Sequence, residues 1–476
     1  MPHLTTLQTD VAIIGVGTAG MSAYKAARKH TDRVLTIEAA EYGTTCARVG
    51  CMPSKLLIAP ALAAHRARQA GGFGLEIARV HVDGAAVMQR VRAERDRFAQ
   101  FSVDEVLDWP AEHRIRGHAR FTAPRTLQVD EHTRIEARSI VIATGSSPIV
   151  PDDLRQSLGD RLIVNDDVFA WQDLPQSVAI MGTGVIGLEL AFALHFLGVR
   201  VRLLGRSGKV GPATDPAIAA ECAALVQDTL PCALQSRLLQ ARRTGSGPDA
   251  AVELRFESEG KEYTESFDYL LMATGRKPNL SQLNLQAAGI ATDDKGIPAF
   301  DPLTRQIADT AIFIAGDANQ HHPVLHEASD DGHAAGHNAA QYPNVRAFQR
   351  RAGLNIVFSH PQIALAGRHH RQLTQAGVPF ATGKVDFKRQ GRSRIELQNQ
   401  GLLHVYGEQG TGRFLGAEMV GPAAEHLAHL LAWAVQQEQT VAQMLACPFY
   451  HPVVEEGLRT ALRDLQAQLK NHPSSP

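Results

Sequence analysis

The sequence predicts an α/β protein with two dinucleotide-type folds and a separate C-terminal α+β domain. Three observations carry the prediction. Apolar strands alternate with helical stretches up to about Pro343, the pattern of parallel α/β units. A glycine-rich turn, Gly15-Val-Gly17-Thr-Ala-Gly20, recurs as Gly182-Thr-Gly184-Val-Ile-Gly187. Beyond Pro343 the pattern changes to shorter strands and two helices, near Ala423–Gln437 and Val453–Leu469.

In chain order, Val11–Gly15 predicts a buried strand ending in glycine, Ser22–His30 a helix and Arg33–Glu38 a second strand. Lys55–Gln69 and Val87–Val106 have the periodicity of long amphipathic helices, and Ile140–Gly145 reads as a strand stopping at Thr-Gly. The opening then repeats: Ser177–Gly182 a strand, Val185–Leu197 a helix, Val199–Gly205 a strand. Leu270–Gly275 and Ile312–Gly316 are further apolar strands, Ser246–Pro248 a loop, and Asn471–Pro476 a frayed tail.

Composition narrows the function classes. The 476 residues, at about 150 per domain, suggest roughly three domains. With 48 Lys+Arg against 49 Asp+Glu there is no basic footprint for nucleic acid or an anionic membrane. No run reaches the roughly 18 apolar residues of a spanning helix, and Met1–Asp10 lacks the apolar core of an export signal. The expectation is a cytoplasmic protein. Five cysteines are too few for a disulfide scaffold, so any disulfide should be catalytic.

Each fingerprint sits between a strand and a helix. Its glycines permit a tight turn and close approach of backbone to a pyrophosphate, and the helix N-terminus offers free N–H groups. After the first, Glu38 closes the next strand at about the right distance to accept from a ribose hydroxyl. After the second, the strand end reads Leu204-Gly205-Arg206-Ser207 and the acid is missing. An Arg here can hold a 2′-phosphate. The expected ligand is NAD(P), leaning toward NADP(H) through Arg206.

Gly43-Thr-Thr-Cys46-Ala-Arg-Val-Gly-Cys51-Met-Pro-Ser-Lys55 is the most informative stretch. Two cysteines separated by four residues lie at the start of a helix, where the dipole favours a thiolate. Gly50 and Pro53 should keep the segment from being a plain helix. Zinc would need two more ligands, which the segment lacks, and no metal is expected elsewhere. His321, His322, His326, His369 and His370 read as loop residues, and Cys222, Cys232 and Cys447 as small buried ones.

With these motifs the chain resembles the flavoprotein disulfide reductases with a C-x4-C redox centre, the family of dihydrolipoyl dehydrogenase, glutathione reductase and mercuric reductase. The resemblance spans nearly the whole chain. It also rests on Val141-Ile-Ala-Thr-Gly145, Ala273-Thr-Gly-Arg-Lys-Pro-Asn279, Ile314-Ala-Gly-Asp317, and His451-Pro452 with Glu456. It implies a Rossmann-like FAD-binding domain (residues 1–150), an NAD(P)-binding domain (151–275), a central domain completing the FAD fold (276–345) and a dimerisation domain (346–476). Gly15, Gly17, Gly20, Glu38, Thr45, Lys55, Thr144, Gly145, Asp317 and His326 would serve FAD. Gly182, Gly184, Gly187, Arg206 and Gly275 would serve NAD(P).

The resemblance further implies that electrons pass from a dithiol through Cys46–Cys51 and FAD to NAD(P). His451, oriented by Glu456, is the base. In the family this histidine comes from the partner subunit, so a homodimer shares its active sites. Lys55 would pair with Glu189 beside the flavin.

Within the family the best match is dihydrolipoyl dehydrogenase, with dihydrolipoamide on a lipoyl carrier protein or domain as substrate. Two departures stand out: Arg48 replaces the usual Asn after the first cysteine, and Gly205-Arg206 replaces the usual acid. The stretch from Gly205 with Asp215-Pro-Ala-Ile resembles mercuric reductases, but no C-terminal cysteine pair follows. A glutathione reductase-like NADPH enzyme and a non-catalytic flavin-binding protein are the other readings.

Overall fold

A computed structural model describes residues 4–471, so the predicted tail from 472 onward lies outside the described residues. The chain divides into two compact units, each assembled from separated stretches.

The first unit comprises residues up to 53, 90–149 and 275–350. Its sheet runs Arg114–Arg116, Val34–Glu38, Thr5–Ile14, Thr133–Ile142, all parallel. Thr133–Ile142 then serves two neighbours. Its first half pairs antiparallel with Thr126–Val129, and its last residues pair parallel with Ile312–Ile314. Val11, Ile13, Val141 and Phe313 fill one face, and Ala12, Ile14, Ile140, Ile142, Ile312 and Ile314 the other. Both faces are covered, so the strands read as continuous apolar runs.

The helix Thr18–Ala27 carries the first fingerprint into this core. Leu325–Gln341 packs on it at backbone distance. A Cβ on Gly332 would stand 2.1 Å from the Ala19 carbonyl oxygen, and one on Gly336 2.1 Å from that of Ala23. Only glycine permits this approach.

The second unit comprises residues 54–89, 150–274 and 351 onward. It holds a parallel sheet in the order Cys232–Ala233, Arg200–Leu204, Ser177–Met181, Tyr269–Met272, Leu162–Ile163. A three-stranded antiparallel sheet, Ser236–Thr244, Ala251–Ser258 and Lys261–Phe267, belongs to the same unit. A five-stranded antiparallel sheet follows: Leu354–Val357, Gln362–Gly367, Phe414–Gly421, Leu402–Glu408, Phe380–Asp386. The helices Ala424–Gln436 and Glu455–Asn471 pack on this last sheet through Leu427, Leu431, Leu458, Leu462 and Leu465. Among the described residues no helix is long and apolar enough to cross a membrane.

Several boundaries differ from expectation. The first strand begins at Thr5 rather than near Val11, because its polar half pairs residue by residue with Thr133–Ala137. The strand at Ile140 ends at Ile142, and Ser146–Pro148 forms a separate ribbon with Arg276–Pro278. The helix expected from Lys55 begins at Cys51 and contains Pro53. A proline in the first turn lacks only an N–H that would be unpaired anyway.

Candidate functional site

The cysteine segment folds as two helices. Thr44 caps Thr45–Val49, its hydroxyl accepting from Ala47 N–H at 3.2 Å. Gly50 breaks the run, and Cys51 opens Cys51–Arg68. A Cβ on Gly50 would meet the Thr45 carbonyl oxygen at 3.0 Å and Cys46 Cα at 3.2 Å, so glycine lets the chain fold tightly there. Both cysteines are free thiols, Cys46 half-buried and Cys51 exposed. Their side chains share a hydrogen bond, and that bond, then burial, holds the Cys46 thiol well above its ordinary range. Cys46 therefore keeps its proton against Cys51. Arg48 pairs with Glu41, its Nη2 lying 3.0 Å from Oε2 of that carboxylate.

Gly15 adopts φ +97°, and a Cβ there would lie 2.4 Å from the Ala143 carbonyl oxygen. At Gly20 a Cβ would fall 1.9 Å from the Gly15 oxygen, whereas around Gly17 nothing lies within 4 Å. The helix Thr18–Ala27 has no side-chain cap and no acid in its first turn, leaving its N–H groups suited to an anion. Glu38 ties the turn: Oε2 accepts from Val16 N–H at 2.7 Å and Oε1 from Ala40 N–H at 3.0 Å. In the same unit Thr144 Oγ1 is buried and has no hydrogen-bond partner among the described residues. Beside it Gly145 has φ +66° and open space where a Cβ would be. These features fit a dinucleotide.

Asp317 lies in the turn Gly316–Asn319, where Oδ2 accepts from Ser146 Oγ at 2.7 Å. Arg276 in turn donates to Ser146 through Nε at 2.9 Å and through Nη2 to its carbonyl at 2.6 Å. Sequence reasoning missed Ser146 and gave Arg276 no role. The Ala273–Asn279 motif was the available signal. Gly275, at φ +130°, accepts from Ile149 N–H at 3.0 Å within this unit.

The second fingerprint repeats the turn. Gly182 has φ +116°, and a Cβ would sit 2.2 Å from the Ala273 oxygen. A Cβ on Gly187 would sit 1.9 Å from the Gly182 oxygen, and Gly184 is again open. Val185–Phe196 also lacks a side-chain cap and a first-turn acid. At the next strand end Gly205 is buried, and a Cβ would meet the Leu234 oxygen at 2.7 Å and Thr183 Cγ2 at 2.8 Å. Arg206 follows, exposed.

Lys55 and Glu189 meet in the second unit. Lys55 Nζ lies 2.9 and 2.8 Å from the two carboxylate oxygens of Glu189, which is 4% exposed. Phe358 N–H donates to Glu189 Oε1 at 3.2 Å, and its ring centroid lies 4.3 Å from Nζ. His451 and Glu456 also meet: Nδ1 to Oε2 is 3.0 Å. Arg459 Nη2 holds the other oxygen at 2.8 Å. The His451 hydrogen bond is the chief reason the Glu456 carboxyl is held below its usual range. The His451 side chain is 80% exposed.

The remaining candidates divide. Cys222 is buried and Cys232 half-buried, but Cys447 is exposed: it lies just past Ala446, the C-cap of the short helix Val441–Leu445, with its Sγ 3.6 Å from the Gln443 carbonyl. His321 and His322 lie outside regular helices, yet His326 and His370 stand on helices and His369 caps one. Loop-like polarity concealed helix starts there. Among the described residues no cluster of three or more His, Cys, Asp or Glu is arranged for a metal.

A family profile described as pyridine nucleotide-disulphide oxidoreductase matches residues 9–332. The dimerisation domain of the same oxidoreductases matches residues 354–462. A dihydrolipoyl dehydrogenase from Thermus scotoductus is 29% identical over 466 residues, covering 96% of this chain and 98% of its own. A mercuric reductase from Acidithiobacillus ferrooxidans is 29% identical over 475 residues, covering 97% and 84%. LpdA from Mycobacterium tuberculosis shares the fold, with a TM-score of 0.80 at 24% identity, over 96% of this chain and 99% of its own.

Proposed function

The chain belongs to the pyridine nucleotide-disulphide oxidoreductases, FAD-dependent enzymes that use NAD(P), and from that premise we propose that it is a dihydrolipoyl dehydrogenase-like enzyme. Its substrate in this reading is dihydrolipoamide on a lipoyl carrier protein, and its setting is the cytoplasm. The observation that carries the reading is the Cys46 and Cys51 dithiol held at the Gly50 break between two helices.

The residues take these roles. His451 accepts a proton from a substrate thiol, and Glu456, 3.0 Å away, orients the ring and stabilises the imidazolium. The substrate thiolate attacks Cys46 of the oxidised pair, forming a mixed disulfide and releasing Cys51 as a thiolate. The second substrate thiol then resolves the mixed disulfide, so the pair ends reduced and the substrate oxidised. Bound FAD supplies the exchange of an electron pair between this dithiol and the nicotinamide hydride. The first fingerprint, Glu38, Thr45, Thr144, Gly145, Asp317 and His326 would hold FAD, and Gly182, Gly184, Gly187, Arg206 and Gly275 would hold NAD(P). Lys55, paired with Glu189, would supply positive charge to a bound flavin as it becomes anionic on reduction. The four-region division at 150, 275 and 345 belongs to the same reading. So does a homodimer with shared sites, supported by the dimerisation-domain match and by the exposure of His451.

A second reading is favoured by Arg206 and by the mercuric reductase relative: an NADPH-dependent reductase acting on glutathione disulfide or Hg(II). Assays with dihydrolipoamide, glutathione disulfide and Hg(II), each with NAD(H) and NADP(H), separate them. Turnover of dihydrolipoamide is expected; none with either cofactor overturns the leading reading. Cys51→Ser should lower disulfide turnover by about a thousandfold or more and remove the long-wavelength thiolate–flavin absorbance. Undiminished turnover would favour a different path.

A further inference from the structure

We propose that Phe358 is a positioning residue for the Lys55–Glu189 pair and thereby sets how readily the bound flavin is reduced. The inference rests on the role given to that pair above. Three elements converge here: the helix Cys51–Arg68 brings Lys55, the helix Val185–Phe196 brings Glu189, and the end of the strand Leu354–Val357 delivers Phe358.

Phe358 grips both partners. Its N–H donates to Glu189 Oε1 at 3.2 Å, and its ring takes the Lys55 ammonium at 4.3 Å from the centroid. An ammonium has three donors. Those of Lys55 meet both oxygens of Glu189 and Ser54 Oγ at 3.3 Å. The ring face covers a further side of the charge, which restrains a stem that is otherwise flexible. Phe358 itself is held from behind. The strand before it pairs with Gln362–Gly367, and Ser359 Oγ, buried, donates to the Pro361 carbonyl at 2.7 Å. A phenylalanine serving only as core filler would be fully buried; this one is half-buried and turned to a cation. Any residue could supply the N–H. The ring is what the side chain adds.

The test uses the FAD-loaded enzyme and reads the ratio of reduced to oxidised flavin at a fixed redox poise. Lys55→Met should lower the ratio. Phe358→Leu and, as a second variant should leucine impair folding, Phe358→Met should lower it about three- to tenfold, the scale of a partly desolvated cation–π contact. Phe358→Tyr, which keeps the ring face, should leave it within twofold. Lys55→Met combined with Phe358→Leu should lower it no further than Lys55→Met alone. The inference is overturned if Lys55→Met lowers the ratio while both Phe358→Leu and Phe358→Met leave it unchanged, or if the double variant is additive. If Lys55→Met itself changes nothing, the role of the pair falls and this inference with it.

Discussion

The two fingerprints have the same turn and different surroundings. Gly15 and Gly182 share a positive φ and press on a neighbouring carbonyl, at 2.4 and 2.2 Å from an added Cβ. Gly20 and Gly187 both bring a helix onto the turn, with the same 1.9 Å approach, and Gly17 and Gly184 are both open. The difference lies one strand on. Glu38 bonds the first turn through Val16 N–H. At the second, Gly205 lies against Leu234 and Thr183, where a side chain has no room, and the polar group is displaced to the exposed Arg206. The missing acid is thus a steric fact as well as a change of charge. In the proposed reading the turn confers dinucleotide binding and the strand end selects which dinucleotide.

The strongest way to break this comparison is to spoil each turn in isolation. Gly15→Ala forces a Cβ into the Ala143 carbonyl at a left-handed φ, so the purified protein should lack flavin absorbance. Gly182→Ala should retain flavin and lose NAD(P)H turnover by about a hundredfold or more. Loss of flavin from both variants would refute the division of labour. Next in size, Arg206→Ala should lower kcat/KM for NADPH about ten- to a hundredfold, the worth of a charge-assisted bond, and leave NADH within twofold. Equal losses with both would make Arg206 a surface residue.

The smallest expected effect concerns the helices that follow. The first fold caps Thr45–Val49 with the neutral Thr44, whereas the second caps Pro216–Thr229 with the buried Asp215. Burial pushes the Asp215 carboxyl up, but the hydrogen bond and charge of His404, at 2.8 Å, and the Ala217 and Ile218 N–H groups outweigh it, holding it at about 2. An ordinary aspartate titrates near 3.9. The stabilisation is therefore present above about pH 4 and disappears as pH falls toward 2, a loss of about 2 kcal/mol. Urea unfolding between pH 5 and 2 should show it, and Asp215→Asn should flatten that part of the profile. An unchanged slope would remove Asp215 from the account.

Much of the site was legible because its residues have few substitutes. Glycines in left-handed turns and two cysteines separated by four residues announce themselves, and the resemblance named His451 and Glu456, which lie 3.0 Å apart. Other residues were hidden for physical reasons. Thr5–Thr9 form a strand although they are polar, because their partner Thr133–Ala137 lies far along the chain. Ser146 acts only through Arg276 and Asp317, each more than a hundred residues away. Phe358 reads as an ordinary strand-end aromatic until Lys55 and Glu189 are brought to it.

Local chemistry thus determined the two dinucleotide turns, the helix-borne cysteine pair and the oxidoreductase family, since backbone conformation and sulfur reactivity depend on near neighbours. Tertiary structure decided the rest. It closed the space at Gly205, tied Asp317 to Ser146 and Arg276, placed Phe358 on Lys55 and buried Asp215 against His404. Each joins residues distant in sequence, where packing and desolvation, rather than local preference, set the outcome.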